Sequence, residues 1–116
     1  NIKAKVSKDE VIKYQILTYC FLNDIQISNS DLICLSILAK NSNVELTKFC
    51  ELISTNGIFK SAQSCRNALT KAEKKNLIVK NGSNKKTICI NPIMNIQTNG
   101  IILLDYKILG FEAKES

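Results

Sequence analysis

Two short β-prone runs, Leu77–Lys80 and Lys86–Ile90, flank Asn81-Gly82-Ser83-Asn84, and nothing else in the chain restricts its folding as tightly. Asn and Gly both tolerate the positive φ that a close reversal needs, so the two runs are expected to pair as an antiparallel hairpin. Directly upstream, Ser61 can open a helix to about Lys75 in which Cys65, Ala68, Leu69 and Ala72 recur at i, i+3, i+4 and i+7. That spacing makes one buried face, and its small side chains let the helix lie close to its neighbours. Asn76 then stands where the helix stops, as a residue that tolerates a left-handed cap. Asn91-Pro92 ends the second run, because proline lacks the donor that a strand ladder requires.

The elements that must cover this unit lie before it. Ser7-Lys8-Asp9-Glu10 and Ser28-Asn29-Ser30-Asp31 read as capping boxes, opening helices to about Leu22 and Lys40. The second carries Leu32, Ile33, Leu35 and Leu38 inward. A polar turn, Asn41–Asn43, leads into a third helix from Glu45 to about Ser54, with Leu46, Phe49, Cys50 and Ile53 in one stripe, and Thr55-Asn56-Gly57 breaks it. The first helix is different. Val11, Ile12, Tyr14, Ile16, Leu17, Tyr19, Cys20, Phe21 and Leu22 point nearly all round its axis, so it must be covered on more than one side. A homodimer interface through Val11, Tyr14, Leu17 and Phe21 would do that; so would deep burial within one chain. Beyond Pro92, the stretch around Asn99-Gly100 reads either as a second hairpin or as a turn before a C-terminal helix. Frequent Ile and Thr favour strands. Phe111–Ser116 reads as a polar tail.

At 116 residues and 45% apolar content, one hydrophobic core is expected. The chain is taken as a single domain, with an N-terminal arm and helix (1–27), a core (28–92) and a C-terminal extension (93–116). No apolar run exceeds four residues, far short of the ~20 a membrane-spanning helix needs. No apolar stretch follows directly on the basic residues of Asn1–Lys5, so they do not read as a secretory signal, and a cytoplasmic protein of a bacterial or phage-infected cell is expected. Histidine is absent, which removes the usual general base near neutral pH and the commonest transition-metal ligand. Cys20, Cys34, Cys50, Cys65 and Cys89 form no C-x-x-C pair and sit among apolar neighbours, as small buried hydrophobes of a reducing compartment would. The ten carboxylates form no paired motif, and no Gly-rich phosphate loop occurs. The expectation is a binding protein rather than an enzyme, without cofactor or metal.

Charge says what it would bind. Residues 1–59 hold six Lys against six acids, whereas residues 60–86 hold Lys60, Arg66, Lys71, Lys74, Lys75, Lys80, Lys85 and Lys86 against Glu73 alone. The whole excess behind the net charge of +6 therefore falls in the helix-hairpin window, residues 60–86. A one-sided field of this kind suits a polyanion, most often nucleic acid.

Three helices, the last of them basic, followed at once by a lysine-tipped hairpin, resemble a winged helix-turn-helix domain over residues 28–92. The likeness is most specific from Ser61 to Ile78, which is similar to a recognition helix and first wing strand. MarR-like regulators and the replication initiators of plasmids and phages are families of this kind, and Ile90-Asn91-Pro92 is similar to the latter. The resemblance implies an α+β fold with a β-hairpin wing, extra C-terminal strands, and sequence-specific binding of double-stranded DNA in transcription or replication. At about 100° per residue, Gln63, Asn67, Thr70 and Lys74 fall opposite the apolar stripe, flanked by Arg66 and Lys71. Gln63, Arg66 and Asn67 suit base edges. Lys71 and Lys74 would meet phosphates, and Lys80, Lys85 and Lys86 the neighbouring backbone or minor groove. Lys60, Ser61 and Ser64 complete the expected DNA-binding set. The competing expectation is a winged-helix module docking on another protein in a virion or polymerase assembly.

Overall fold

Helix α1 (Lys8–Leu22) begins where Ser7 accepts a hydrogen bond from the Glu10 amide at 3.4 Å, and α2 (Asn29–Lys40) where Ser28 accepts from the Asp31 amide at 3.1 Å. Both starts coincide with the capping boxes. This is a computed structural model, and it describes residues 2–5, 7–41, 43–99 and 103–106. The remaining described elements are β1 (Ile2–Lys5), β2 (Val44–Glu45), α3 (Leu46–Thr55), α4 (Ala62–Lys74), β3 (Ile78–Asn81), β4 (Thr87–Ile90), a short 3-10 turn at Pro92–Met94, and β5 (Leu103–Tyr106). The fold is α+β: among the described residues, four helices and a three-stranded antiparallel sheet in the order β2-β4-β3, with β1 and β5 paired separately.

One core joins the four helices and the hairpin. Ile12, Ile16 and Cys20 of α1 meet Leu35 and Leu38 of α2, Phe49 and Ile53 of α3, Cys65 and Leu69 of α4, and Leu77, Ile78 and Ile88 around the hairpin. Each fully buried aliphatic side chain contributes roughly 1.5–3 kcal/mol. Cys20, Cys34, Cys50 and Cys65 are buried free thiols, whereas Cys89 is only half-buried. Val11 is 2% exposed. It therefore cannot serve the dimer face assigned to it, because the chain itself already covers it.

The end of α4 positions the hairpin. Asn76 takes φ +62°, its amide donates to the Glu73 carbonyl at 3.0 Å, and the Leu77 amide reaches back to the Ala72 carbonyl at 2.9 Å. This left-handed cap turns the chain from helix to strand across three residues, 75–77. Asn91 locks the corner, donating from its side chain to the Asn76 carbonyl at 2.8 Å and accepting from the Ile93 amide at 3.1 Å.

Three local expectations are corrected. The hairpin is present, with Lys80 opposite Ile88 and Asn81 opposite Thr87, but Asn81 remains in the strand and the loop spans residues 82–86. Positive φ falls on Gly82 (+89°) and Lys85 (+54°). The Asn81 side chain donates to Asn43 Oδ1 at 3.0 Å, a tie that suits extended backbone rather than a turn. Between the expected polar turn and α3 lies β2, whose Val44 and Glu45 pair with Ile88 and Thr87, so the helix starts at Leu46 rather than Glu45. Near the C-terminus a strand is found, as favoured. Its partner is β1, with Lys5 opposite Leu103 and Ile2 opposite Tyr106, rather than a neighbour across Asn99-Gly100. Gly100 and the expected polar tail at Phe111–Ser116 lie outside the described residues.

Candidate nucleic-acid interface

Because α4 buries Cys65, Leu69 and Ala72, its opposite side is left to solvent. Gln63, Asn67, Thr70, Lys71 and Lys74 are all exposed there. Gln63 Nε2 donates to Asn67 Oδ1 at 3.0 Å, which aligns the two amides along the helix and leaves each with free polar atoms. Thr70 Oγ1 donates to the Arg66 carbonyl at 3.0 Å. Lys71 and Lys74 occupy the last turn, where positive charge also complements the helix dipole.

Not every residue of the expected set has free chemistry. Ser61 accepts from the Ser64 amide at 3.1 Å, and the two hydroxyls lie 3.2 Å apart, so both are engaged in starting the helix. Lys80 shares its strand face with buried Ile78 and pairs with Glu73 at 3.4 Å, which turns its charge toward α4. Lys75, outside the expected set, donates to the Gln26 carbonyl at 3.0 Å. Lys60 is exposed in the turn before α4.

Arg66, Lys85 and Lys86 are brought together across 19 residues or more of sequence. With Glu45, Leu46 and Thr47 they line a depression of about 350 Å³ between the start of α3, the flank of α4 and the hairpin loop. Arg66 is half-buried and donates from Nη2 to Thr47 Oγ1 at 2.7 Å. The Lys86 carbonyl accepts from the Leu46 amide at 2.8 Å, tying the loop to α3. Sequence reasoning missed Glu45 and Thr47. The β2–β4 pairing, set by a two-residue strand, carries them to the hairpin.

Away from this side, α1 leaves a different surface. Tyr14 (47% exposed), Leu17 (43%), Phe21 (83%) and Leu22 (73%) face outward. Tyr14 and Leu22 also border a hollow of about 390 Å³ with Gln15, Thr18, Tyr19 and Met94. Gln15 bonds both ways to Gln97, at 2.8 and 2.7 Å, fixing the segment after Met94 against the helix.

Three buried cysteines offer no reactive group here. Burial, with neighbouring Cys65 adding to it, pushes the Cys50 thiol up to about 12. The Cys65 thiol is raised by its hydrogen bond to Cys34 and by burial, and Cys20 by burial. These thiols stay protonated and weakly nucleophilic. Among the described residues, no three His, Cys, Asp or Glu side chains are placed to hold a metal ion, and no helix is long and apolar enough to cross a membrane. No protein family, curated protein or solved structure matches the chain.

Proposed function

We propose that the chain is a winged helix-turn-helix protein that binds double-stranded DNA sequence-specifically, as a transcriptional regulator or replication-initiator-like protein. The observation that carries this reading is the exposed Gln63–Asn67 face of α4 beside a depression lined by Arg66, Lys85 and Lys86. In this reading α4 enters the major groove, Gln63 and Asn67 reach base edges, and the hairpin is the wing, with β2 as its third strand. Arg66, Lys71, Lys74, Lys85 and Lys86 meet the backbone.

Selection of bound duplexes from a random pool at two salt concentrations tests this. About five neutralised phosphates give a slope of log affinity on log salt of about −4 to −5. Gln63→Ala and Asn67→Ala should each relax preference at one position and leave non-specific binding nearly intact. A flat salt response, or no bound duplex at low salt, overturns the reading.

The α1 surface favours a second contact, with protein. From Tyr14 to Leu22 no residue is charged, yet Tyr14, Leu17, Phe21 and Leu22 are exposed. A second copy of the chain fits this face, since apposed copies would bring no charges together along that stretch. The DNA site would then hold two half-sites one or more turns apart, at ~34 Å per turn. A monomeric mass by light scattering at micromolar concentration counts against the dimer. Monomeric mass together with a flat salt response would leave a winged-helix module docking on another protein.

A further inference from the structure

By side-chain type Arg66 suits base edges alongside Gln63 and Asn67, but its surroundings differ from theirs. Its guanidinium does not project with Gln63 and Asn67. It is half-buried and held by Thr47 at 2.7 Å, on the side of α4 that faces α3 and the hairpin loop. Five N–H donors sit on the guanidinium, and one is used by Thr47, so several remain. The Thr47 hydroxyl accepts from Arg66, which leaves its own proton free to donate. Lys85 and Lys86 border the same depression from the loop.

We propose that this depression seats a single backbone phosphate of the bound duplex, with Arg66 as its clamp rather than a reader of bases. The inference rests on the DNA-binding reading and assigns the contact within it. A planar guanidinium from α4 and a hydroxyl from α3, with two lysines on the bordering loop, match a tetrahedral, doubly accepting phosphodiester. The ~350 Å³ volume leaves room for the sugars on either side. Thr47 is a positioning residue, since it orients Arg66. Glu45 borders the same space and places a negative charge against the ligand, so it works against binding.

Binding is read by fluorescence anisotropy with a random-sequence duplex of about twenty base pairs, and preference by selection from a random pool. Arg66→Ala should weaken binding about five- to tenfold at 0.1 M salt and reduce the salt slope by about one, with the selected sequences unchanged. Arg66→Lys keeps the charge and should keep the slope. Thr47→Val should weaken binding and Thr47→Ser restore it. Glu45→Gln should tighten binding a few-fold, an effect that mere loss of structure would not produce. Arg66→Ala and Lys85→Ala combined should cost less than the product of their separate effects, because they serve one phosphate. A changed preference at one base pair with Arg66→Ala would make Arg66 a base reader and overturn the inference while DNA binding stands. Independent Arg66 and Lys85 losses, or weaker binding with Glu45→Gln, would also overturn it. A wild-type chain that binds no duplex at low salt would overturn both readings.

Discussion

Helices α4 and α1 pack against the same core and present opposite surfaces to solvent. Along α4 the sorting is nearly complete: Cys65, Leu69 and Ala72 are buried, while Gln63, Asn67, Thr70, Lys71 and Lys74 are exposed. Along α1 it is not. Val11, Ile12, Ile16 and Cys20 are buried, and Phe21 and Leu22 lie almost bare on the other side. The two surfaces differ in chemistry. Exposed lysines of like sign repel one another, which fits the proposed polyanion ligand on the basic side. Exposed aromatic and aliphatic side chains on one helix face fit the proposed contact with a second copy of the chain.

The comparison requires that both surfaces belong to one cooperative unit, and its severest test is a cut in the shared core. Leu38 of α2 is fully buried in the cluster that joins α1 to the hairpin. Leu38→Ala should cost about 2–5 kcal/mol in urea unfolding, with loss of helix signal and loss of DNA binding in a single transition. Two separate transitions would break the comparison, because the surfaces would then belong to independent units.

Alkali tests the same core by charge. Cys50, Cys65 and Cys20 have thiol pKa values raised above the unfolded value of 9.0, Cys50 to about 12. A raised folded pKa means that both states carry the proton below pH 9, and only the unfolded chain releases it above that. Stability should be unaffected by these thiols below pH 9 and fall between pH 9 and about 12. Cys50→Ala should flatten part of that fall, measured by urea midpoints across the range.

Phe21→Ser sharpens the contrast with a smaller energetic effect. Since Phe21 is 83% exposed, the folded monomer should change by no more than about 0.5 kcal/mol. Dimer mass by light scattering should nevertheless be lost, while affinity for a single half-site stays within about twofold. A large loss of monomer stability would mean that the face is covered by the chain's own residues.

How much of this was legible in the sequence depended on the range of the forces involved. The starts of α1, α2 and α4 were readable because Ser7, Ser28 and Ser61 each act within three residues, and the charge window because it is contiguous. Strand β2 was not readable, since two residues show no alternation and Val44 finds its partner at Ile88. Thr47 and Glu45 were missed for the same reason. Val11 was misplaced because a helix that is apolar all round gives no phase from which to tell its covered side from its bare one. Lys80 looked free until the hairpin brought it back over Glu73.

At the corner joining α4 to the hairpin, a pair of variants separates stability from geometry, and one of them carries the smallest expected effect. Asn76 holds a left-handed φ of +62°, which glycine adopts without penalty and side chains branched at Cβ resist. Asn76→Gly should keep the cap and shift stability by only a few tenths of a kcal/mol, with DNA affinity unchanged. Asn76→Val should cost about 1–2 kcal/mol, because a residue forced out of this region must give up the bonds to Ala72 and Glu73. It should also weaken duplex binding under conditions where the variant remains folded, since the same corner sets where Lys85 and Lys86 stand relative to Arg66. Equal DNA affinity for folded Asn76→Val and wild type would show that the hairpin's angle to α4 does not matter to binding. The basic side would then act as a diffuse charge rather than as a shaped site.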